Sequence, residues 1–221
     1  MNEAAAITLF ILAGIAFVVF IVVFAKRTAA KRRAALEAVA LQAGWSFSGD
    51  TIEAEALGAA AFPLFTHGRA RKARNVMRLP GEAPVVAAFD YQYTVGSGKH
   101  QSTVVQTVVR VTSPRLSLPP FVLGAENVLH KVGGLLGYHD IDFDSSPEFS
   151  RKYLLRSKEA EDRVRDLFTP SVRAYFEQRV PVTVEGFDDG VVIYRSGRTV
   201  KPEDLLTFVE DARAVARQFE R

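Results

Sequence analysis

The chain opens with a long run of apolar residues, and a cluster of cations follows it at once. From Ala4 to Ala25, twenty-two consecutive residues carry no charged side chain. At about 1.5 Å of rise per residue, a helix of that length reaches roughly 33 Å, enough to cross the roughly 30 Å hydrocarbon core of a bilayer. The pattern therefore predicts a transmembrane helix over residues 4–25 that anchors the chain in the lipid bilayer.

The charges beside this run give the predicted helix a direction. Five basic residues, which we call the basic collar, follow it: Lys26, Arg27, Lys31, Arg32 and Arg33. Because Lys and Arg at a membrane end stay on the cytoplasmic side, we expect residues 1–3 outside the cytosol and residues 26–221 inside it. We further expect the basic collar to contact anionic lipid head groups of the cytoplasmic membrane.

A cleaved signal peptide is the competing interpretation of the same segment. Signal peptides carry positive charge before a short apolar stretch of ~7–15 residues, and a small-residue cleavage site follows. Here Glu3 is the only charged side chain before the run, and the basic residues come after it. The order of the charges and the length of the run both favour an anchor that is retained.

The strongest sheet pattern is a pair of β-rich runs around a glycine turn. Val85–Val95 and Ser102–Thr112 are rich in Val, Thr, Phe and Tyr, with Gly96-Ser97-Gly98-Lys99 between them, which predicts an antiparallel hairpin. The two-residue period of a strand places alternate residues on one face. On the first strand these are Phe89, Tyr91 and Tyr93, and on the return strand Val104, Gln106, Val108 and Arg110.

Other predicted elements lie on both sides of this hairpin. Upstream we expect a helix over residues 29–43 that stops at Gly44, a strand at 45–48, a loop at 50–61, and strands at 62–68 and 75–79 around a basic turn. Downstream we expect an extended segment at 118–123, a strand at 149–156, a helix capped by Ser157, a helix opened by Thr169-Pro170, and a hairpin of residues 182–187 and 191–194.

The C-terminal segment has a helical period, and Pro202 begins it. Its apolar positions fall on one face, so we expect them to be buried against the sheet: Leu205, Phe208, Val209, Ala212, Val215, Ala216 and Phe219. Glu210, Arg213 and Arg217 should be exposed. Residues 26–44 then form a basic juxtamembrane segment and helix, and residues 45–221 one α+β domain of antiparallel sheet and helices, closed by a C-terminal amphipathic helix.

Composition and charge exclude several classes of function. The chain contains no cysteine, which excludes disulfides, thiolate nucleophiles and Cys-ligated metal sites. The formal net charge of +3 comes from the basic collar, because residues 34–221 alone sum to −1. A near-neutral body lacks the field that general nucleic-acid binding requires, so we expect no nucleic-acid partner.

A short acidic stretch is the strongest candidate for metal chemistry. Asp140, Asp142 and Asp144 alternate with apolar residues, and His139 precedes them. A calcium loop would require glycine at the sixth position and glutamate at the twelfth, where this chain has Ser145 and Arg151. The alternation favours a solvated edge. A hard cation such as Mg²⁺, held by the three carboxylates for a hydrolytic reaction, is the alternative.

Other motifs give little support for catalysis, and we predict no cofactor. The sequence Gly96-Ser97-Gly98-Lys99-His100 lacks the first glycine, the Ser or Thr after lysine and the following helix of a P-loop, which favours a hairpin turn. The histidines, His67, His100, His130 and His139, have no zinc-ligand spacing. A glycine run at 133–137 can bring backbone amides near an anion, although such runs are typical of loops.

Four cations near the middle of the chain form a better candidate surface. We call Arg69, Arg71, Lys72 and Arg74 the basic segment. Clustered cations beside two predicted strands can contact lipid head groups or an acidic partner. A solvated turn, whose charge is offset elsewhere, is the alternative.

Several strings of the sequence resemble bacterial membrane proteins of unknown function that pair one N-terminal membrane helix with a cytosolic α+β body. The strings are Phe89-Asp90-Tyr91-Gln92-Tyr93, Leu118-Pro119-Pro120-Phe121, Asp140-Ile141-Asp142-Phe143, Phe149-Ser150-Arg151-Lys152-Tyr153-Leu154-Leu155 and Val184-Glu185-Gly186. The resemblance covers most of residues 60–215 and implies a bacterial origin. It carries no catalytic residues.

These observations predict a non-enzymatic interaction or scaffolding module that is tethered to the cytoplasmic membrane. Its expected partners are the lipid bilayer, anionic lipid head groups, and a membrane or cytosolic protein. Two alternatives remain open. One is a metal-dependent hydrolase that uses Asp140, Asp142 and Asp144, and the other is a lipid-binding domain similar in outline to a pleckstrin-homology domain.

Overall fold

A single long helix begins the fold. The computed structural model describes residues 3–49, 52–53, 62–125, 137–158 and 161–221. Helix α1, Glu3–Gln42, contains 40 residues and is roughly 60 Å long. It is the one helix in the described part of the chain that is long and apolar enough to cross a membrane, and none of its apolar window is buried. The helix predicted over residues 29–43 is the distal end of α1.

Gly44 ends this helix as predicted. It has a φ of +71°, which a residue with a Cβ rarely adopts. The amide of Trp45 donates to the carbonyl of Ala40 at 2.8 Å and the amide of Gly44 donates to Leu41 at 3.1 Å. This is the Schellman arrangement, in which glycine lets the chain reverse and satisfies the last carbonyls of the helix.

Among the described residues, the body is built around one antiparallel sheet of ten strands. They are β1 (Ser46–Ser48), β2 (Ile52–Glu53), β3 (Arg69–Arg78), β4 (Val85–Val95), β5 (Ser102–Thr112), β6 (Leu118–Gly124), β7 (His139–Asp140), β8 (Leu154–Ser157), β9 (Thr183–Asp188) and β10 (Gly190–Tyr194). Their order is β1-β3-β4-β5-β10-β9-β6-β8-β7, and β2 also pairs with β3. The two predicted hairpins, β4–β5 and β9–β10, are confirmed.

Five further helices lie in the described part of the chain, in agreement with the α+β fold that the sequence predicts. They are α2 (Pro63–Thr66), α3 (Pro147–Lys152), α4 (Glu161–Leu167), α5 (Pro170–Glu177) and α6 (Leu205–Arg217). Thr169 caps α5 as expected, since its side chain accepts from the amide of Val172. Short 3₁₀ turns, Gly98–His100 and Pro202–Asp204, lie at the tip of the β4–β5 hairpin and before α6.

One face of the sheet, which we call the helical face, carries the larger apolar core. Leu36 and Ala40 of α1 pack there with residues of α4, α5 and α6. All seven apolar residues predicted to line the C-terminal helix segment are buried. Glu210 and Arg217 are exposed as predicted, whereas Arg213 is half-buried.

The opposite side, which we call the aromatic face, carries a smaller core. Phe89, Tyr91 and Tyr93 share it as predicted and lie opposite Val108, Gln106 and Val104 in the register of β4 and β5. Three residues of the α2 region cover this cluster: Phe62, Leu64 and Phe65. The Phe65 ring stands edge-on to the Tyr91 ring, with centroids 4.9 Å apart.

The predicted basic turn is wrong, because the basic segment belongs to one continuous strand. β3 runs from Arg69 to Arg78, and the predicted strand at 62–68 contains helix α2, which Pro63 begins. The pairing of β3 with β4 shifts register twice, and Ala70 and Asn75 have φ values of 51° and 52° within those shifts. Such bulges let a strand of turn-like sequence remain in a sheet.

Three further expectations need correction. The strand predicted at 149–156 is helix α3 followed by β8, because Pro147 and Glu148 form a favourable first helical turn. Ser157 ends β8 instead of capping a helix, and its hydroxyl donates to the carbonyl of Pro120 at 2.9 Å. Within the predicted loop at 50–61, Ile52–Glu53 form β2, and the other residues lie outside the described ones.

Candidate functional site

The junction between α1 and the body is organised by one arginine of the basic collar. Arg32 forms a two-pronged ion pair with Asp90 of β4, in which Nε donates to Oδ2 at 2.8 Å and Nη2 donates to Oδ1 at 2.7 Å. A third donor, Nη1, contacts the carbonyl of Val200 at 2.9 Å. The guanidinium therefore connects α1 with the sheet and with the segment that precedes α6.

Neutral side chains complete the network around the Asp90 carboxylate. Thr107 on β5 donates its hydroxyl to Oδ1 at 3.0 Å, and Asn75 on β3 donates its amide to Oδ2 at 2.9 Å. The Thr107 hydroxyl also accepts from the amide of Val200 at 2.9 Å. Each oxygen of the buried carboxylate thus has two donors, as a desolvated charge requires.

Apolar packing fixes the same end of α1. Arg32, Leu36, Val39, Ala40 and Ala43 are its inward-facing residues, at the three- and four-residue spacing of one helix face. Leu36 and Ala40 are each only 1% exposed. A helix held by both a charged network and a buried stripe cannot swing freely, so α1 and the body move together.

The other cations of the basic collar are differently placed. Lys26, Arg27, Lys31 and Arg33 are exposed, whereas Arg32 is half-buried and directs its donors into the body. Arg33 lies along Gly49, where an added Cβ would come within 2.2 Å of its guanidinium carbon. Contact of the basic collar with lipid therefore remains a prediction that rests on four exposed side chains.

The basic segment lies at the end of β3 that adjoins the tip of the β4–β5 hairpin. Arg69 donates to the Gly96 carbonyl at 2.6 Å and to the Gln101 side chain at 2.8 Å. Arg71 donates to the carbonyl of Thr66 at 3.0 Å. Lys72 is half-buried and Arg74 is exposed. The segment therefore carries a group of cations beside a glycine-rich tip.

The acidic stretch follows the predicted edge pattern. Asp140 pairs with Arg156, with Nε 2.6 Å from Oδ1, and Asp142 and Asp144 are exposed. Ile141 and Phe143 between them are buried, although only His139 and Asp140 form a strand. Within the described residues, no three His, Asp or Glu side chains are grouped as metal ligands would be.

The remaining predicted motifs are dispersed. His67 stands against the Tyr93 ring with centroids 5.3 Å apart, and burial lowers the pKa of its imidazole. His100 lies in the turn at the hairpin tip, and His139 lies on edge strand β7. His130 and most of the 133–137 glycine run lie outside the described residues.

Sequence reasoning missed a carboxyl group buried on the aromatic face. Glu185 of β9 is completely buried and accepts from the Leu64 amide at 3.0 Å and from the Tyr194 hydroxyl at 2.7 Å. Desolvation raises the pKa of Glu185 to about 7, although both hydrogen bonds oppose that shift. The same environment raises the pKa values of Tyr93 and Tyr194. A glutamate within an otherwise apolar strand, Val184-Glu185-Gly186, was the available indication.

Comparison with known proteins places this fold beside one solved structure. No protein-family model matches the chain, and no curated protein matches it. The crystal structure of the mycobacterial trehalose monomycolate transport factor A, TtfA, is similar to it, with a TM-score of 0.60 and 11% sequence identity, covering 87% of this chain and 97% of that chain. At that identity the similarity establishes the fold. This chain therefore shares its α+β architecture with a bacterial transport factor.

Proposed function

We propose that this protein is a single-pass protein of the bacterial cytoplasmic membrane whose cytosolic body is a non-enzymatic scaffolding module. The observation that carries the proposal is the continuity of α1, which joins the apolar run directly to the Arg32–Asp90 network. A docking platform gains a defined orientation, because its exposed surface is presented at a constant height and angle.

The length of the connection keeps the body close to the lipid. Ala25 and Arg32 are seven residues apart in one helix, which is about 10 Å. No flexible linker separates them in the described residues, since α1 continues to Gln42. With residues 4–25 in the bilayer, the body is therefore adjacent to the head groups instead of extending into the cytosol.

The direction of β4 relative to α1 supports an arrangement in which the cationic end of the body, at the β4–β5 hairpin tip, faces the membrane. α1 lies beside Asp90 at Arg32, and it leads into β1, whose Ser46 pairs with Arg78, opposite Ala87. Moving back along α1 toward the apolar run therefore corresponds to moving along β4 toward Val95. The part of β4 from Asp90 to Val95 is about 16 Å long, which exceeds the roughly 10 Å of helix between Ala25 and Arg32.

The hairpin tip and the basic segment consequently lie at the head-group level in this arrangement. Lys99 at the tip and the basic segment on β3 join the four exposed cations of the basic collar. Lys and Arg near an anionic surface contribute about 1 kcal/mol each. We propose that these cations hold the body against anionic head groups of the cytoplasmic leaflet.

The partner we propose is a membrane protein or a membrane-transport assembly. The similar solved protein, TtfA, is a transport factor, and a scaffolding role beside a transporter suits a body held at the membrane surface. Hydrolysis at Asp140, Asp142 and Asp144 has weaker support. Asp140 is engaged by Arg156, and the acidic stretch lies at the far edge of the sheet from the junction.

The orientation is tested by reporter fusions to the C-terminus. A green fluorescent protein fusion should fluoresce in cells, and an alkaline phosphatase fusion should be inactive, because the phosphatase folds only outside the cytosol. An active phosphatase fusion would contradict the cytosolic placement of the body.

The membrane-facing tip is tested by site-specific photo-cross-linking of the full chain in native membranes. A benzophenone side chain at Lys99 should cross-link to lipid or to a membrane protein, and one at exposed Glu82, at the other end of β4, should not. Charge reversal by Arg69→Glu and Lys72→Glu should reduce the Lys99 cross-links. Equal yields from Lys99 and Glu82 would overturn the proposed orientation.

A further inference from the structure

The end of the body opposite the hairpin tip holds a cleft of about 430 Å³. The loop before β4, the segment after β5 and the last turns of α6 form its walls. Pro84, Val111 and Ala216 give it an apolar floor, and Arg115, Arg213 and Arg217 lie around it. We call it the arginine cleft. Its volume lies within the range of about 300–1,000 Å³ that is typical of small-molecule sites.

The cations of the arginine cleft are poorly neutralised by the protein. Arg115 and Arg217 are exposed and form no ion pair in the described part of the chain. Arg213 pairs with Glu210 through Nη1 at 2.8 Å, but its buried Nε has no hydrogen-bond partner. Arg213 therefore has one ion-pair partner, whereas the guanidinium groups of Arg115 and Arg217 are available to an anion in the cleft.

One carboxylate lies in the cleft, and it is already engaged. The Ser113 hydroxyl donates to Glu220 at 3.2 Å. Three guanidinium groups and the Glu220 carboxylate give the lining side chains a net charge of +2, and the Glu210 carboxylate that pairs with Arg213 lowers the local excess to +1. A phosphate monoester carries a charge of about −1.5 to −2 at pH 7. One guanidinium group can donate two parallel hydrogen bonds to two of its oxygens.

We infer that the arginine cleft binds a small organic phosphate monoester. The phosphate group lies among Arg115, Arg213 and Arg217, whose guanidinium groups donate hydrogen bonds to its oxygens. The organic part of the ligand covers the floor formed by Pro84, Val111 and Ala216. The cleft is larger than inorganic phosphate needs, and its two prolines, Pro84 and Pro114, supply apolar contact without backbone donors. This inference does not depend on the membrane proposal, since the cleft lies at the other end of β4.

The test is titration calorimetry of the full chain in detergent micelles with phenyl phosphate as the probe. The wild-type protein should bind it, and Arg115→Gln and Arg217→Gln should each weaken the affinity by at least about tenfold, as expected when one charge-assisted contact is lost. Arg163→Gln is the matched control, because it removes an exposed positive charge on α4, away from the cleft. That variant should bind within about twofold of wild type.

Other ligands and one further variant define the specificity. Benzoate, which has the same ring and one charge, should bind at least about tenfold more weakly than phenyl phosphate. Glu220→Gln should strengthen binding of phenyl phosphate, because it removes the repulsive carboxylate. Absence of phenyl phosphate binding, or equal losses in Arg163→Gln and Arg217→Gln, would overturn the site. Equal affinity for inorganic phosphate would overturn the assignment of an organic ester.

Discussion

In the part of the chain that the structure describes, the two faces of the sheet each bury one carboxyl group, and they stabilise it in different ways. Asp90 on the helical face receives two donors from the Arg32 guanidinium. Glu185 on the aromatic face receives only a backbone amide and the Tyr194 hydroxyl, and it has no ion pair within the described residues. One face therefore contains a paired charge, whereas the other contains a group whose pKa of about 7 favours the neutral form.

The two carboxyl groups therefore connect different parts of the molecule. The Arg32–Asp90 pair joins residues 58 positions apart and connects α1 to the sheet. Glu185 connects β9 and β10 to the short α2 region that covers the aromatic face. We therefore expect the helical face to respond to loss of packing or of its ion pair, and the aromatic face to respond to pH.

The largest expected effect is loss of a core side chain on the helical face. Phe208 of α6 is 3% exposed, and Phe208→Ala should lower the free energy of unfolding by about 3–5 kcal/mol through lost burial and an unfilled cavity. The measurement is urea unfolding of the full chain in micelles, followed by fluorescence of Trp45. Leu206→Ala on the same helix is the control, because Leu206 is 39% exposed. Equal small effects would show that α6 contributes little to the core.

The second prediction concerns pH and the aromatic face. The folded pKa of Glu185, about 7, lies above its ordinary value of 4.5, so the folded state binds this proton more tightly than the unfolded state does. The contribution of Glu185 to stability is fully present below pH 4.5 and is lost as pH rises through about 7. A difference of this size corresponds to roughly 3 kcal/mol. Unfolding free energies measured between pH 4 and 8 should show the decline.

Two variants isolate this effect from the rest of the molecule. Glu185→Gln keeps the shape of the side chain and should remove the decline, because the amide does not titrate. His67 acts in the opposite sense, since burial lowers the pKa of its imidazole, so its contribution is lost as pH falls. His67→Gln should therefore make the decline with rising pH more visible. An unchanged pH profile in Glu185→Gln would contradict the assignment.

The third prediction breaks the ion pair of the helical face. Arg32→Ala should destabilise the body by about 2 kcal/mol, because Asp90 keeps only Asn75 and Thr107 as donors while it remains buried. The double variant with Asp90→Asn should lose less unfolding free energy than the sum of the losses in the two single variants, since the two residues act together. Lys31→Ala is the control, as Lys31 is exposed on the same helix. Additive losses would mean that the pair does not couple α1 to the sheet.

The same contrast explains how much of the structure could be predicted from the sequence. Local patterns sufficed for the β4–β5 hairpin, whose bounds match the prediction, and for the buried stripe of the C-terminal helix. They failed where position in the sheet overrides local preference. Bulges keep the basic segment within β3, and the partners of Arg32 and Glu185 come from distant elements that no spacing indicates.

The smallest expected effect tests the edge of the helical face, at Arg213. Its side chain is 31% exposed and pairs with Glu210, an exposed i,i+3 neighbour that contributes a few tenths of a kcal/mol. Arg213→Ala removes this weak pair, and it also removes a buried Nε that has no hydrogen-bond partner. Since these two consequences oppose each other, unfolding free energy should change by no more than about 0.5 kcal/mol. A loss as large as that of Phe208→Ala would show that the guanidinium supports the core of α6. A small change in stability, together with lost phenyl phosphate binding, would show that Arg213 serves ligand binding and that the apolar core stabilises α6 without it.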